Sequence, residues 1–167
     1  IFQPAINKFT EVMHGLGLEV SDEAFKNAVD AKSFNTALGE QVFSLITKMP
    51  GSLSDPDRRY LQGLVGGVGE PAESNKEIMK WMRAKSYRDI VRSRFHDERL
   101  AEDYSDQALL KAKAGWANIE GTTPLFGTDP NNNGQRVFFD DVVRRLIESK
   151  GWSADKAISA WRQHYTN

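Results

Sequence analysis

From Asn75 to Tyr104 the chain contains no glycine and no proline, and Ile78, Trp81, Met82, Tyr87, Ile90, Val91 and Phe95 recur along it at helical intervals. That spacing gathers apolar side chains on one side of a helix, and nothing in the run supplies a reason to stop. One long helix is predicted. Its upstream boundary is just as informative. In Ser54 to Glu77, SDPDRRYLQGLVGGVGEPAESNKE, Ser54 or Asp55 can cap a helix opened by Pro56, whose missing N–H costs nothing in a first turn. Gly63, Gly66, Gly67 and Gly69 then make continuation expensive, at roughly 1 kcal/mol each relative to alanine, and Pro71 prevents it. Ser74 and Glu77 have capping-box spacing. The expected joint is a helix ending near Val65, a turn through Pro71 and a long helix from Asn75.

Similar punctuation divides the rest of the chain. Pro4 opens a helix carrying Ile6, Phe9, Val12 and Met13, which Gly15 and Gly17 stop. Ser21 caps a short helix with Ala24, Phe25, Ala28 and Val29 as its buried stripe, and Ser33 begins a third, with Phe34, Ala37, Leu38, Gln41, Val42, Leu45 and Ile46 inward and Met49, Pro50 and Gly51 at its end. Asp106 caps a helix with Ala108, Leu109, Ala112 and Trp116, which loosens at Asn118. From Gly121 to Asn133, Thr122, Thr123, Pro124, Gly127, Pro130 and three consecutive asparagines favour turns over regular structure. Phe138, Phe139, Val142, Val143, Leu146 and Ile147 then form an amphipathic helix closed by Gly151, and Ser153 caps a last one with Ala157, Ile158, Trp161 and Tyr165 inward. The reading is an all-α fold, an irregular bundle of seven to eight helices with one long central helix, no strand and no internal repeat. Residues 1–118 are expected as a helical domain, 119–135 as a loop or linker, and 136–167 as a C-terminal helical hairpin packed on the same domain.

Composition narrows the chemistry. With 22 basic and 23 acidic residues the formal net charge is -1, so there is no global pull toward nucleic acid or an anionic membrane. There is no cysteine, which removes disulfides, thiolate catalysis and sulfur-based zinc sites. No apolar run reaches the length of about 18 residues that a membrane span needs. The chain begins with Ile1 rather than methionine, as a processed product or a piece of a longer chain would.

Several groups of residues invite a chemical reading. Asp129-Pro130-Asn131-Asn132-Asn133-Gly134, with Asp140 at the twelfth position, follows calcium-loop spacing, except that Asp stands for the usual Glu. Asn131 and Asn133 offer only neutral amide oxygens, the eighth position is Arg136, and Pro124 and Gly127 preclude an entering helix; a turn-rich loop ahead of a helix accounts for the same residues. Gly63 to Gly69, GLVGGVG, has the unhindered backbone of a phosphate loop but neither a preceding strand nor a Gly-Lys-Ser ending, so it reads as a helix terminator. On the long helix Lys76, Lys80, Arg83, Lys85, Arg88, Arg92, Arg94 and Arg99 exceed Glu77, Asp89, Asp97 and Glu98 by four charges, which suits a weak nucleic-acid contact or simply a solvated, ion-paired face. His14, His96 and His164 lack metal-ligand spacing. Glu148-Ser149 is similar to the catalytic pair of lytic transglycosylases, without the accompanying glycine and glutamine motifs. No catalytic, cofactor-binding or metal-ligating residue is assigned.

The phrases FQPAINKF, DEAFKNAV, SDPDRRYLQGLVGGVGEPAESNKEIM and TPLFG resemble segments of large bacteriophage virion proteins, the internal or minor structural proteins ejected with the genome. That resemblance implies a mostly helical, non-enzymatic structural piece of a virion, found in the particle or in the host envelope after ejection, whose partners are other virion proteins or further copies of itself. It supplies no catalytic residues. The alternatives are a calcium-responsive or nucleic-acid-contacting helical module and a fragment of a peptidoglycan-cleaving enzyme.

Overall fold

The computed structural model of the chain describes residues 2–15, 19–48, 53–66 and 71–167. Among them are seven α-helices: α1 (Gln3–Gly15), α2 (Ala31–Lys48), α3 (Asp55–Gly66), α4 (Pro71–Leu100), α5 (Asp106–Thr122), α6 (Phe139–Arg144) and α7 (Ala154–Tyr165). A single 3-10 turn covers Asp22–Phe25, and α6 continues as a wider π-type turn over Arg145–Ser149. The long helix and the C-terminal helical pair are present as the residue pattern predicts.

Two strands depart from that pattern. Phe126–Asp129 (β1) pairs antiparallel with Gln135–Phe138 (β2), with Phe126 opposite Phe138 and Asp129 opposite Gln135. The reversal between them uses Asn133 and Gly134, both at positive φ (50° and 69°), and Gly134 N donates to Asp129 O at 3.2 Å. The stretch expected to be turns is therefore the end of α5, a short connection and a hairpin.

Several helix starts also differ in detail. α2 begins at Ala31, and its cap is Asp30: Ser33 N donates to Asp30 Oδ1 at 2.7 Å while Asp30 N donates to Ser33 Oγ at 3.1 Å, a reciprocal box with Ser33 in the inner position. Ser21 makes no side-chain cap, and Val29 is 84% exposed rather than part of a buried stripe. α5 is capped by Ser105, whose Oγ accepts from Ala108 N at 3.2 Å, so Asp106 occupies the first turn instead. Ser74 and Glu77 fall within α4, which already starts at Pro71, and the Ser74 side chain of the expected capping box lies outside the described residues. Ile90 is 64% exposed, off the buried face of α4. Gly17, Met49 to Gly51, and the turn through Gly67 and Gly69 fall outside the described residues, as do the side chains of Val12, Met13, Ala24, Val42, Leu45 and Ile46.

The chain divides into two compact units, Ile1–Pro50 with Tyr60–Met79, and Gly51–Arg59 with Lys80–Asn167. In the first, Phe2 stacks on Phe34 at 4.7 Å, and Phe25 touches both Phe34 and Phe9, at 5.5 and 6.0 Å between ring centroids. These rings join α1 and the residue before it, the 3-10 turn and the first turn of α2, each burying a large apolar area. Tyr60 OH donates to Glu77 at 2.8 Å in the same unit. In the second unit Trp81, Tyr87, Val91, Phe95, Trp116, Leu125, Phe139, Val143 and Trp161 are buried. Phe139 packs edge-on against Trp161 at 5.8 Å, and Trp161 Nε1 donates to Pro124 O at 2.8 Å, which ties α7 to the connection before β1. Gly151, at φ +68°, reverses the chain after the π-type turn, and Ser153 caps α7 through Lys156 N.

Candidate functional site

The second unit contains a buried polar node centred on Asp57. Ser54 caps α3 by accepting from Asp57 N at 3.2 Å, and its hydroxyl donates back to Asp57 Oδ2 at 2.7 Å. This places Asp57 Oδ1 where it accepts from Trp81 Nε1 at 2.8 Å and from Leu125 N at 2.9 Å. Burial pushes the Asp57 carboxyl above the usual carboxylate range, while these donors and the Arg88 guanidinium pull it back. Arg88 and Lys85, expected on a solvated face, are fully buried on α4. Arg88 Nη1 reaches Glu120 O at 3.5 Å, and burial pushes the Lys85 ammonium down against the pull of Asp89 and Glu120. The node crosses from α3 to α4 to the connection before β1, so it holds elements together and presents no solvent-facing reactive atom.

A second arrangement faces solvent. A cleft of about 380 Å³ is lined by Arg83, Asp140, Asp141, Arg144, Arg145, Glu148 and Ser149. Arg83 Nε donates to Asp140 Oδ2 and Arg83 Nη2 to Asp141 Oδ1 at 3.0 Å, a fork that spans two successive carboxylates of α6. Asp140 is only 4% exposed; burial raises its carboxyl, and Arg83 opposes that shift. Asp141 Oδ2 accepts from Phe138 N at 3.4 Å, tying the start of α6 to β2. Arg144 lies over the Tyr87 ring at 4.5 Å. Glu148 and Ser149 sit exposed in the π-type turn, so the pair singled out from sequence does line a cleft with a second acid.

The remaining sequence candidates are scattered. The calcium-spaced residues fall on different elements: Asp129 ends β1 and accepts from Asn131 N at 2.9 Å, Asn133 and Gly134 make the reversal, and Asp140 is in α6 under Arg83. Among the described residues no group of three or more His, Asp or Glu is placed to hold a metal ion. Gly63 and Gly66 are helical residues of α3, and Gly67 and Gly69 lie outside the described residues. On α4, Arg83 is held by α6, Arg92 lies 3.9 Å from Asp89, Arg94 pairs with Glu98 at 2.8 Å, and Arg99 pairs with Asp155 at 2.9 Å. His14 and His164 are exposed, whereas His96 is half-buried against α5. No protein family, curated protein or solved structure matches this chain. Among the described residues no helix is long and apolar enough to cross a membrane.

Two features were missed from sequence. Lys85 and Arg88 read as surface charges because charge alone does not reveal which flank of a wide helix face is covered. Asp57 was given no role in the sequence reading, which stopped at Ser54, Asp55 and Pro56; its spacing of three from Ser54, the capping-box interval, was the available signal.

Proposed function

We propose that this chain is a non-enzymatic structural component of a phage particle, internal, ejected or tail-associated, acting through contacts with other virion proteins or with further copies of itself. The observation that carries this reading is where the resembling phrases spend their residues. Phe9 of FQPAINKF meets Phe25 of DEAFKNAV in the first unit, and Asp57 of SDPDRR accepts from Leu125 of TPLFG in the second. These four residues are buried and hold elements together, which suits a scaffolding role. The ion pairs made by Arg83, Arg94 and Arg99 point the same way, since cations committed to carboxylates of their own chain are poor phosphate ligands. The test is mass analysis of purified particles from the producing culture. Peptides of this chain at a fixed ratio to the major particle protein, surviving a high-salt wash, support the reading, and their absence from particles overturns it.

A second reading rests on the cleft. Glu148 shares it with Asp140, whose carboxyl is raised by burial, and two acids in unlike environments are the minimum for acid and base roles in glycoside cleavage. Clearing of a cell-wall suspension that is lost in Glu148→Gln supports this alternative; no clearing by the intact chain removes it.

A further inference from the structure

Where α5 meets α4 in the second unit, the contact is built on rings. Phe95 and Trp116 lie 5.4 Å apart between centroids, and His96 stands edge-on to Trp116 at 6.4 Å with an interplanar angle of 79°. Trp116 itself is buried. His96 Nε2 and Trp116 Nε1 are both hidden from solvent, and neither has a hydrogen-bond partner among the described residues. A neutral imidazole fits this environment, because one of its nitrogens carries no proton. An imidazolium does not: it places a second N–H and a positive charge where no acceptor stands ready. The charged groups around the ring add to the mismatch. On α4 Arg92 opposes a further positive charge and Asp97 favours it, and on α5 Lys113 opposes it.

We propose that His96 is a proton-sensitive latch between α4 and α5: the neutral ring seats against Trp116, and its protonation expels the ring and loosens α5 from the long helix. Burial, then Arg92 and Lys113, hold the His96 imidazole below its ordinary range, in keeping with this geometry. The sign follows from proton counting. With a lower midpoint in the latched form, the unlatched form binds more protons, so latching is at full strength above the ordinary imidazole midpoint of about 6.5 and weakens as pH falls through the lower latched midpoint. Such a device gives an otherwise static helical piece a way to respond to an acidic surrounding without any catalytic group.

The experiment is amide hydrogen exchange on the full chain, read on α5 peptides between about pH 7.5 and about pH 5 after correction for intrinsic rates, with the His96 ring protons titrated by NMR alongside. The opening equilibrium of α5 is expected to rise on acidification, by roughly tenfold for each pH unit that the His96 midpoint lies below about 6.5, and to level off below that midpoint. In His96→Gln, which stays neutral, the rise is expected to vanish. Protection of α5 that is independent of pH, a His96 midpoint at or above that of a free imidazole, or a rise that persists in His96→Gln would each overturn the proposal. If His96→Gln does not fold, agreement or disagreement between the wild-type midpoint and the wild-type rise decides.

Discussion

Asp57 and Trp81 are both fully buried, and the Trp81 indole N–H donates to the Asp57 carboxylate at 2.8 Å from the following helix. The same oxygen accepts Leu125 N, so one side chain near the start of α3 fixes α4 and the connection leading into β1. A buried carboxylate is tolerated only where donors surround it, and three donors with a nearby guanidinium meet that condition. The phrase that reads from sequence as a joint between helices is thus also an anchor for residues far along the chain.

Gly127 on β1 lies so close to the carbonyl of Tyr165 that an added Cβ would fall on its oxygen. Backbone cannot yield as a flexible side chain does. Gly127→Ala is expected to destabilise the second unit by about 1 to 3 kcal/mol, read as a lowered urea midpoint. Gly121→Ala, in α5 with open space around it, is the control, expected to be neutral or to stabilise by up to about 1 kcal/mol.

Arg83 is the bridge from α4 to the first turn of α6, and its removal leaves the buried Asp140 carboxylate without that cation. Arg83→Met is expected to cost about 1 to 3 kcal/mol at neutral pH. It should cost less in acid. The Asp140 midpoint, already raised by burial, rises further without Arg83, so the folded form holds more protons than the unfolded one and stability falls as pH rises through that window. Thermal melts of both proteins at neutral and acidic pH check the sign.

The caps of α5 and α7 are single hydroxyls. Ser105→Ala and Ser153→Ala each remove the acceptor for one first-turn N–H and are expected to lower stability by about 1 kcal/mol apiece. The two sites lie on separate elements, so the double variant should show the sum in chemical denaturation.

Added calcium is expected to leave the melting temperature unchanged, because Asp140 is covered by Arg83 while Asp129 caps its own turn through Asn131 N. Appreciable heat in calorimetry, with a raised melting temperature, would assign residues 129–140 a cation after all.

How much of this was legible in the chain follows from which forces are local. Helix bodies were: the Asn75 to Tyr104 run, the paired apolar residues from Phe138 to Ile147 and the Ser153 cap are decided within a few residues of themselves. The hairpin was not read, because two four-residue strands offer no alternation to count, although Asn133-Gly134 is a known reversal signal and was present. The burial of Lys85 and Arg88 and the exposure of Val29 depend on what packs alongside, which no local pattern carries. The cleft is partly local: Glu148 and Asp140 are eight positions apart, an interval that already shares one helix side, whereas the contribution of Arg83 from α4 is long-range.

The second unit depends on Asp57 holding Trp81 and Leu125 in place. A double-mutant cycle of Asp57→Ala and Trp81→Phe, measured by urea denaturation, tests it directly. A coupling of about 1 to 3 kcal/mol between the two sites is expected, with Asp57→Ala alone costing about 3 kcal/mol or more. Additivity within about 0.5 kcal/mol, or an Asp57→Ala variant as stable as the parent, would contradict it.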